Sequence, residues 1–364
     1  MNEIYIAESP SLQRAEFEKH LRAAYSGQQA QPQSTIRSPI GASRILSFFL
    51  VLCLVAFCLN IAINHGLRRL KTSKFGSLNR MVGGQVNADI IINGSSRALS
   101  HYDPRRISSL TGHSAYNIGL NSSQIDFELA MLQTYLKHNT RPKLVIQNLD
   151  LFSFETTKKG AIYDPGYYVP YLHEDEIYNF LRSVDSSVWK WKYIPLYGYA
   201  VEDMRFTWVW GLLGCLGING REDYFMGFNP RASTWNRDFD KFKANLAKPV
   251  SYAIESGGIV ALEKIVALCR TNDIKVILVY SPEYHEMQGL ESNRGEIIDK
   301  FRTLSSKLGI PFWDYSDSAI SMRRECFNNS QHLNYEGAEI FSDDIGKRLA
   351  LLSFDDSHGP KLER

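Results

Sequence analysis

Apolar and polar positions along this chain fall into three regimes. Residues 45–64 form an uncharged run of twenty, ILSFFLVLCLVAFCLNIAIN. Beyond residue 87, short apolar runs alternate with stretches of helical spacing, and between 151 and 250 that rhythm lapses. The alternating part reads as strands and helices in turn. Residues 88–94 are a buried strand, three successive isoleucines closed by Gly94. Asp103-Pro104 opens a short helix, with Asp as N-cap and Pro at the first position. Residues 114–118 make a second strand ending at Gly119. Asn121 or Ser122 then caps a helix carrying Ile125, Leu129, Leu132 and Leu136. Strands over 143–149, 274–280 and 310–314 and helices over 257–270, 294–308 and 336–352 complete the pattern. Such alternation predicts a three-layer α/β/α fold around a parallel, flavodoxin-like sheet, with its chemistry at the carboxyl ends of the strands. Gly94-Ser95-Ser96, Gly119 and Asp150 all fall at those ends.

The uncharged run is long enough to cross a bilayer core of about 30 Å as one helix. It starts too far into the chain for a simple signal peptide, and no small-residue cleavage pattern follows it. Before it, residues 1–44 comprise a helix-spaced, mixed-charge stretch (11–25) and a Gln/Ser/Pro/Gly-rich linker (26–43) that reads as disordered. After it, residues 65–86 read as a basic juxtamembrane stem with Arg68, Arg69, Lys71, Lys74 and Arg80 as headgroup anchors. Only Arg37 and Arg44 stand close before the span, so the positive-inside tendency points the C-terminal domain to the cytoplasm.

The balance of 41 basic against 39 acidic residues argues against a nucleic-acid partner. Five scattered cysteines show neither a disulfide framework nor metal-ligand spacing, and no cofactor or metal is implied. Residues 151–250 concentrate five of the six tryptophans and nine tyrosines. They read as an aromatic-rich insertion. Its rings either stack on sugars or pack a cap of their own. The apolar stretch 206–218 within it is thirteen residues, too short for a second span. The domain expected to carry the chemistry is discontinuous, 87–150 and 251–354, with a tail at 355–364.

Two distant segments suggest that chemistry. Gly94-Ser95-Ser96-Arg97 closes the first strand, and Phe327-Asn328-Asn329-Ser330-Gln331-His332-Leu333-Asn334, followed by Glu336-Gly337-Ala338, enters the last helix. A serine hydroxyl becomes a useful nucleophile when an imidazole takes its proton, so Ser96 and His332 are candidate nucleophile and base. Together the two segments resemble the SGNH/GDSL hydrolases, whose serine follows the first strand and whose histidine precedes the last helix. The resemblance covers roughly 85–150 and 255–352. It implies Ser96 as nucleophile, with Ser95 where that family has aspartate, and His332 as base.

The chain departs from the family pattern in three places. Three residues before His332 stands Asn329, not aspartate. An amide can orient an imidazole but cannot stabilise its cation by charge. Asp314 and Asp317 are alternative acids. For the oxyanion hole, Gly119 matches the family's glycine, but the third-strand asparagine motif is missing. Asn148, displaced by one position, and Asn121 are the substitutes. Arg97 would hold an anionic or hydroxyl-rich substrate, or else form a surface salt bridge. Three N-glycosylation sequons, at Asn93, Asn121 and Asn328, read as coincidental because all sit at the proposed site.

The resemblance implies a membrane-anchored serine esterase or O-acyltransferase acting on a cell-envelope or exported polysaccharide. It would work beside a membrane-embedded acyl-donor protein if it transfers rather than hydrolyses. The missing aspartate and asparagine support an alternative, a weak or inactive binding and assembly protein of a polysaccharide machine. Single-span relatives mostly hold the SGNH-like domain outside the inner membrane, against the basic-residue count. The insertion is expected to cap the carboxyl ends of the strands, bringing some of Tyr163, Tyr167, Tyr168, Trp189 and Trp191 to the cleft.

Overall fold

A computed structural model describes residues 41–200, 206–232 and 234–352. The helix-spaced stretch at 11–25, most of the linker and the 355–364 tail lie outside the described residues. Five parallel strands form one sheet: β1 (Ile90–Asn93), β2 (Ala115–Asn117), β3 (Leu144–Leu149), β4 (Lys275–Tyr280) and β5 (Phe312–Asp314). Their order is β2-β1-β3-β4-β5, the flavodoxin-like order, with its switch point between β1 and β3.

Alternation along the strands builds two apolar layers. Ile91, Val145, Leu149 and Leu278 face one side, where they meet α1 (Ser73–Val82), α2 (Ile125–His138), α3 (Ser256–Thr271) and α4 (Arg294–Leu308). Ile90, Ile92, Ile146 and Val279 face the other, against α5 (Pro104–Thr111) and α6 (Tyr335–Ala350). Every residue of β1 and β3 is buried, as a sheet covered on both faces requires. The Asp103 cap forms as its sequence predicts, accepting from Arg105 N, and Gly112 ends α5 in the left-handed conformation. Neither Asn121 nor Ser122 caps α2: the helix starts at Ile125 with Gln124 at its N-cap.

A 26-residue helix, Ala42–Leu67, is long and apolar enough to cross a membrane. Residues 65–86 are less a stem than part of the domain. Leu67, Leu70, Phe75, Leu78 and Met81 are buried in the core, and Lys74 is buried too, its Nζ donating to Tyr168 Oη (3.1 Å) over the Tyr167 and Tyr168 rings. Burial pulls that amine down to about 8 against the pull of Asp164. Arg80 donates to Lys71 O. Arg68, Arg69 and Lys71 are the exposed cations of this stretch.

Candidate active site

The nucleophile turn is built from a glycine outward. Gly94 ends β1 with φ +148°, and a Cβ there would lie 2.8 Å from Ala98 Cβ and 2.9 Å from Asn148 Cβ. Only glycine lets the chain turn here so close to both neighbours. Ser95 then caps a six-residue helix, Ser96–His101, accepting from Arg97 N at 3.2 Å. Ser96 takes the first position of that helix.

The base comes from a loop stapled on several sides. Phe327 and Leu333 pair as a short antiparallel bridge, Asn328 N donates to His332 O, and Tyr284 N donates to Ser330 O. Asn334 caps α6 by accepting from Gly337 N, so His332 sits two residues before a fixed helix start. Asn329 Oδ1 accepts from the backbone N–H groups of Gln331 (3.0 Å) and His332 (2.9 Å). That identifies the oxygen of the amide, and the same atom lies 3.0 Å from His332 Nδ1. Nδ1 therefore carries the proton, leaving the Nε2 lone pair toward Ser96 Oγ, 2.8 Å away. Ser96, His332 and Asn329 thus form one hydrogen-bonded chain.

The surroundings keep His332 neutral. Burial, then the Arg231 and Arg97 guanidiniums, push its imidazole down to about 3. Among the described residues no carboxylate opposes them. Asp314 is taken up by Arg302 and Ser316, and Asp317 is exposed, so neither alternative acid touches His332.

Other expected residues have different places. Arg97 is neither exposed nor a surface salt bridge. It is 3% exposed, paired with buried Asp150 (3.3 Å), donates to Ser281 O, and lies 4.5 Å from the centre of the Tyr280 ring. Burial works against its charge, but Tyr280, Asp150 and Glu283 outweigh it and hold the guanidinium protonated. Ser95 completes this cluster, donating to Asp150 Oδ2 at 2.5 Å. Asn148 is spent in the core, accepting from Tyr102 Oη (2.8 Å) and donating to Leu149 O (3.3 Å). Gly119 lies beside the serine's helix, 2.6 Å from Leu99 N to a would-be Cβ, but its N–H donates to Asn117 Oδ1 (2.9 Å). Asn121 lines the same small hollow as Gly119 and accepts from Arg231 Nη2 at 2.7 Å. Of the sequon residues, Asn93 is fully buried and Asn328 donates to Ala232 O and Thr234 O.

Two residues had no signal that singled them out. His101 Nε2 accepts from Leu333 N (3.0 Å) and its Nδ1 lies 3.0 Å from Ser281 Oγ, tying the His332 loop to β4. Arg231 comes from the far end of the insertion, lowers the His332 imidazole and bonds Asn121. Its Nε is buried with no partner. The insertion meets the site through this region, where Asn229 N donates to Leu99 O, Asn236 N to Asn328 O and Tyr335 N to Arg231 O. The rings expected at the cleft are mostly elsewhere. Tyr168 is buried against Phe127, Tyr167 packs on Phe75, and Trp191 is half-buried in the core. Trp189 begins a segment whose next turn bonds the apolar helix at Asn60. Tyr163 is exposed.

No protein-family model and no curated protein matches the chain. Solved structures it resembles include GDSL-like lipolytic and acylhydrolase proteins. A GDSL-like lipase from Bacteroides thetaiotaomicron is 11% identical, covering 71% of this chain and 86% of its own, with a TM-score of 0.33. A candidate lipolytic protein of the G-D-S-L family from Desulfitobacterium hafniense is 11% identical, over 71% of this chain and 98% of its own, with a TM-score of 0.35. A candidate acylhydrolase from Bacteroides fragilis is 11% identical, over 71% and 85%, again at 0.35. At this similarity the chemistry rests on the site's own geometry.

Proposed function

We propose that the chain is a serine-dependent acyl-ester enzyme anchored in a membrane by its apolar helix. The observation that carries the reading is the Ser96 Oγ–His332 Nε2 contact of 2.8 Å, with Nδ1 held by Asn329. Ser96 Oγ attacks the carbonyl carbon of an acyl ester and its proton passes to His332 Nε2. The carbonyl oxygen becomes an oxyanion. When the C–O bond to the alcohol breaks, that proton moves from Nε2 to the leaving oxygen, and the acyl group stays on Ser96. Water or a second hydroxyl then repeats the sequence, giving a free acid or a new ester. Arg231 and the Asn121 NH₂ group, with Ser96 N–H, are the donors we assign to the oxyanion. They replace Gly119 and Asn148, whose hydrogen bonds are spent in the fold.

The finer reading is an O-acyltransferase or esterase of an envelope polysaccharide with its domain outside the inner membrane; its support is the apolar helix as an anchor and the exposed rings of the insertion, Tyr163 and Trp189. A second reading, a binding protein that does not turn over, draws on the neutral Asn329 and the occupied Gly119 N–H. Incubation with a fluorophosphonate and mass spectrometry separates the two. The enzyme reading expects a covalent adduct on Ser96, absent in Ser96→Ala and much slower in His332→Gln. An unmodified Ser96 in folded protein overturns it.

A further inference from the structure

The insertion carries an apolar surface that the proposed catalysis does not use. Residues 206–218 (FTWVWGLLGCLGI) hold no charge and form a short helix, α7 (Thr207–Cys215). Its small residues face the protein and its large ones face away. A Cβ at Gly214 would come 2.2 Å from Gly66 O, and one at Gly66 would come 1.6 Å from Gly211 O. Backbone thus lies on backbone, the small-residue contact by which helices associate in lipid. Outward stand Phe206 (75% exposed), Trp208 (44%), Trp210 (41%) and Leu216 (76%). A water-facing helix with such a surface lacks a polar face.

The register of the long helix indicates what covers that surface. Its exposed apolar side chains run from Ile45 to Ile61, and burial begins at Ile63. Sixteen steps at about 1.5 Å give roughly 24 Å, short of the ~30 Å of hydrocarbon a span must cross. The missing few ångströms correspond to Ala62–Gly66, the level at which α7 packs. There Cys215 Sγ meets Ala62 O, and Gly211 and Gly214 meet Ile63 and Gly66. Two asparagines of the span are covered at this same level. Asn60 Oδ1 accepts from Leu196 N (3.1 Å) and Asn64 Oδ1 from Tyr199 Oη (2.5 Å), which lowers the cost of placing these amides near hydrocarbon. Exposed Trp189, Tyr193 and Tyr197 follow, with Lys190 and Lys192 against Tyr rings and Arg68, Arg69 and Lys71 beyond the helix. Such an aromatic and basic belt is the composition of a membrane–water boundary. Between the span and α7 lies an open apolar groove of about 360 Å³, walled by Leu59, Ile63, Leu196, Tyr199, Trp208 and Leu212.

We propose that α7 is a second membrane element, immersed in the outer few ångströms of the same leaflet, and that the groove beside it holds the acyl chain of a bilayer lipid. The inference rests on the reading of 45–64 as a span. Lipid is the occupant because the groove shares its wall with the span's own lipid-facing surface.

The test reconstitutes the full chain in phosphatidylcholine–phosphatidylglycerol vesicles brominated near the top of the acyl chains. Five of the six tryptophans lie in 151–250 and the sixth, Trp313, is buried in β5, so quenching of their emission reports the insertion. Quenching relative to unbrominated vesicles is expected, and most of it should vanish in a Trp208→Phe/Trp210→Phe variant that still unfolds cooperatively. A chain that floats with the vesicles but is not quenched, or is quenched equally with both rings replaced, overturns this inference alone and assigns the face to a protein partner. A chain that does not float overturns the anchor as well. For the groove, a phospholipid with a chain-end diazirine should label peptides within 196–212, less so in Leu212→Trp. Labelling confined to 45–61 refutes the groove.

Discussion

Asn329 Oδ1 sits 3.0 Å from His332 Nδ1, where a hydrolytic triad would have a carboxylate. The amide fixes the tautomer but supplies no charge, and the imidazole it orients is held down to about 3. Loss of the carboxylate costs on the order of 10⁴ in rate where a triad has one. Asn329→Asp should therefore raise kcat on an acetyl ester by about tenfold or more and move the His332 titration upward. Steady-state rates together with imidazole NMR shifts check both. A slower enzyme with an unchanged imidazole would mean that Asn329 does more than stand in for a carboxylate.

Arg231 is predicted to act on the transition state more than on folding. Arg231→Met should lower kcat by roughly a hundredfold, in line with loss of an oxyanion donor, with a smaller change in KM. It should also raise the His332 pKa, because a neighbouring cation is removed. Unchanged kcat with a shifted pKa would reduce Arg231 to an electrostatic neighbour.

The Asp150–Arg97 pair belongs to the scaffold. Asp150→Asn removes the carboxylate paired with a buried guanidinium and should destabilise the domain by about 3–5 kcal/mol. Chemical denaturation of the detergent-solubilised chain measures it. Ser95→Ala, which removes the hydrogen bond to the same carboxylate and the cap on Arg97 N, should cost about 2–4 kcal/mol.

Acid should unfold the domain early. His332 and His101 are both lowered below the ordinary histidine value, chiefly by burial, so the unfolded chain binds protons that the folded chain refuses. The stability from keeping them neutral is complete above the unfolded value near 6.5. It is lost as pH falls from there toward about 3. Urea midpoints should drop across this window, and His332→Gln should flatten the drop.

Much of the fold was legible because its signals are local. The three isoleucines of β1, the Asp103-Pro104 start of α5 and the 294–308 helix lie in short windows of sequence, and the structure places them within a residue or two. Ser96 and His332 were legible on another ground: their two segments, read together, resemble the serine and histidine motifs of the SGNH/GDSL hydrolases. Arg231 was not, because its partner Asn121 is 110 residues away and Arg231 itself lies in the stretch 151–250, where the rhythm lapses. Arg97 read as a substrate-holding residue or a surface salt bridge because nothing in the sequence reports that Asp150, Ser281 and Tyr280 close over it. In residues 65–86 the basic side chains masked the apolar spacing of Phe75, Leu78 and Met81, a pattern that was present and outvoted.

The burial of Leu67, Leu70 and Phe75 bears on reach. A catalytic domain on a slack tether sweeps a volume and can search for substrate at many distances from its anchor. Here the chain passes from the apolar helix into the domain's interior with no slack segment between them. With the apolar helix as the proposed anchor, a site mounted this way would work at one fixed height. It would select its substrates by where they are presented as much as by what they are, and a flexible Gly-Ser insertion after Arg69 would widen that range.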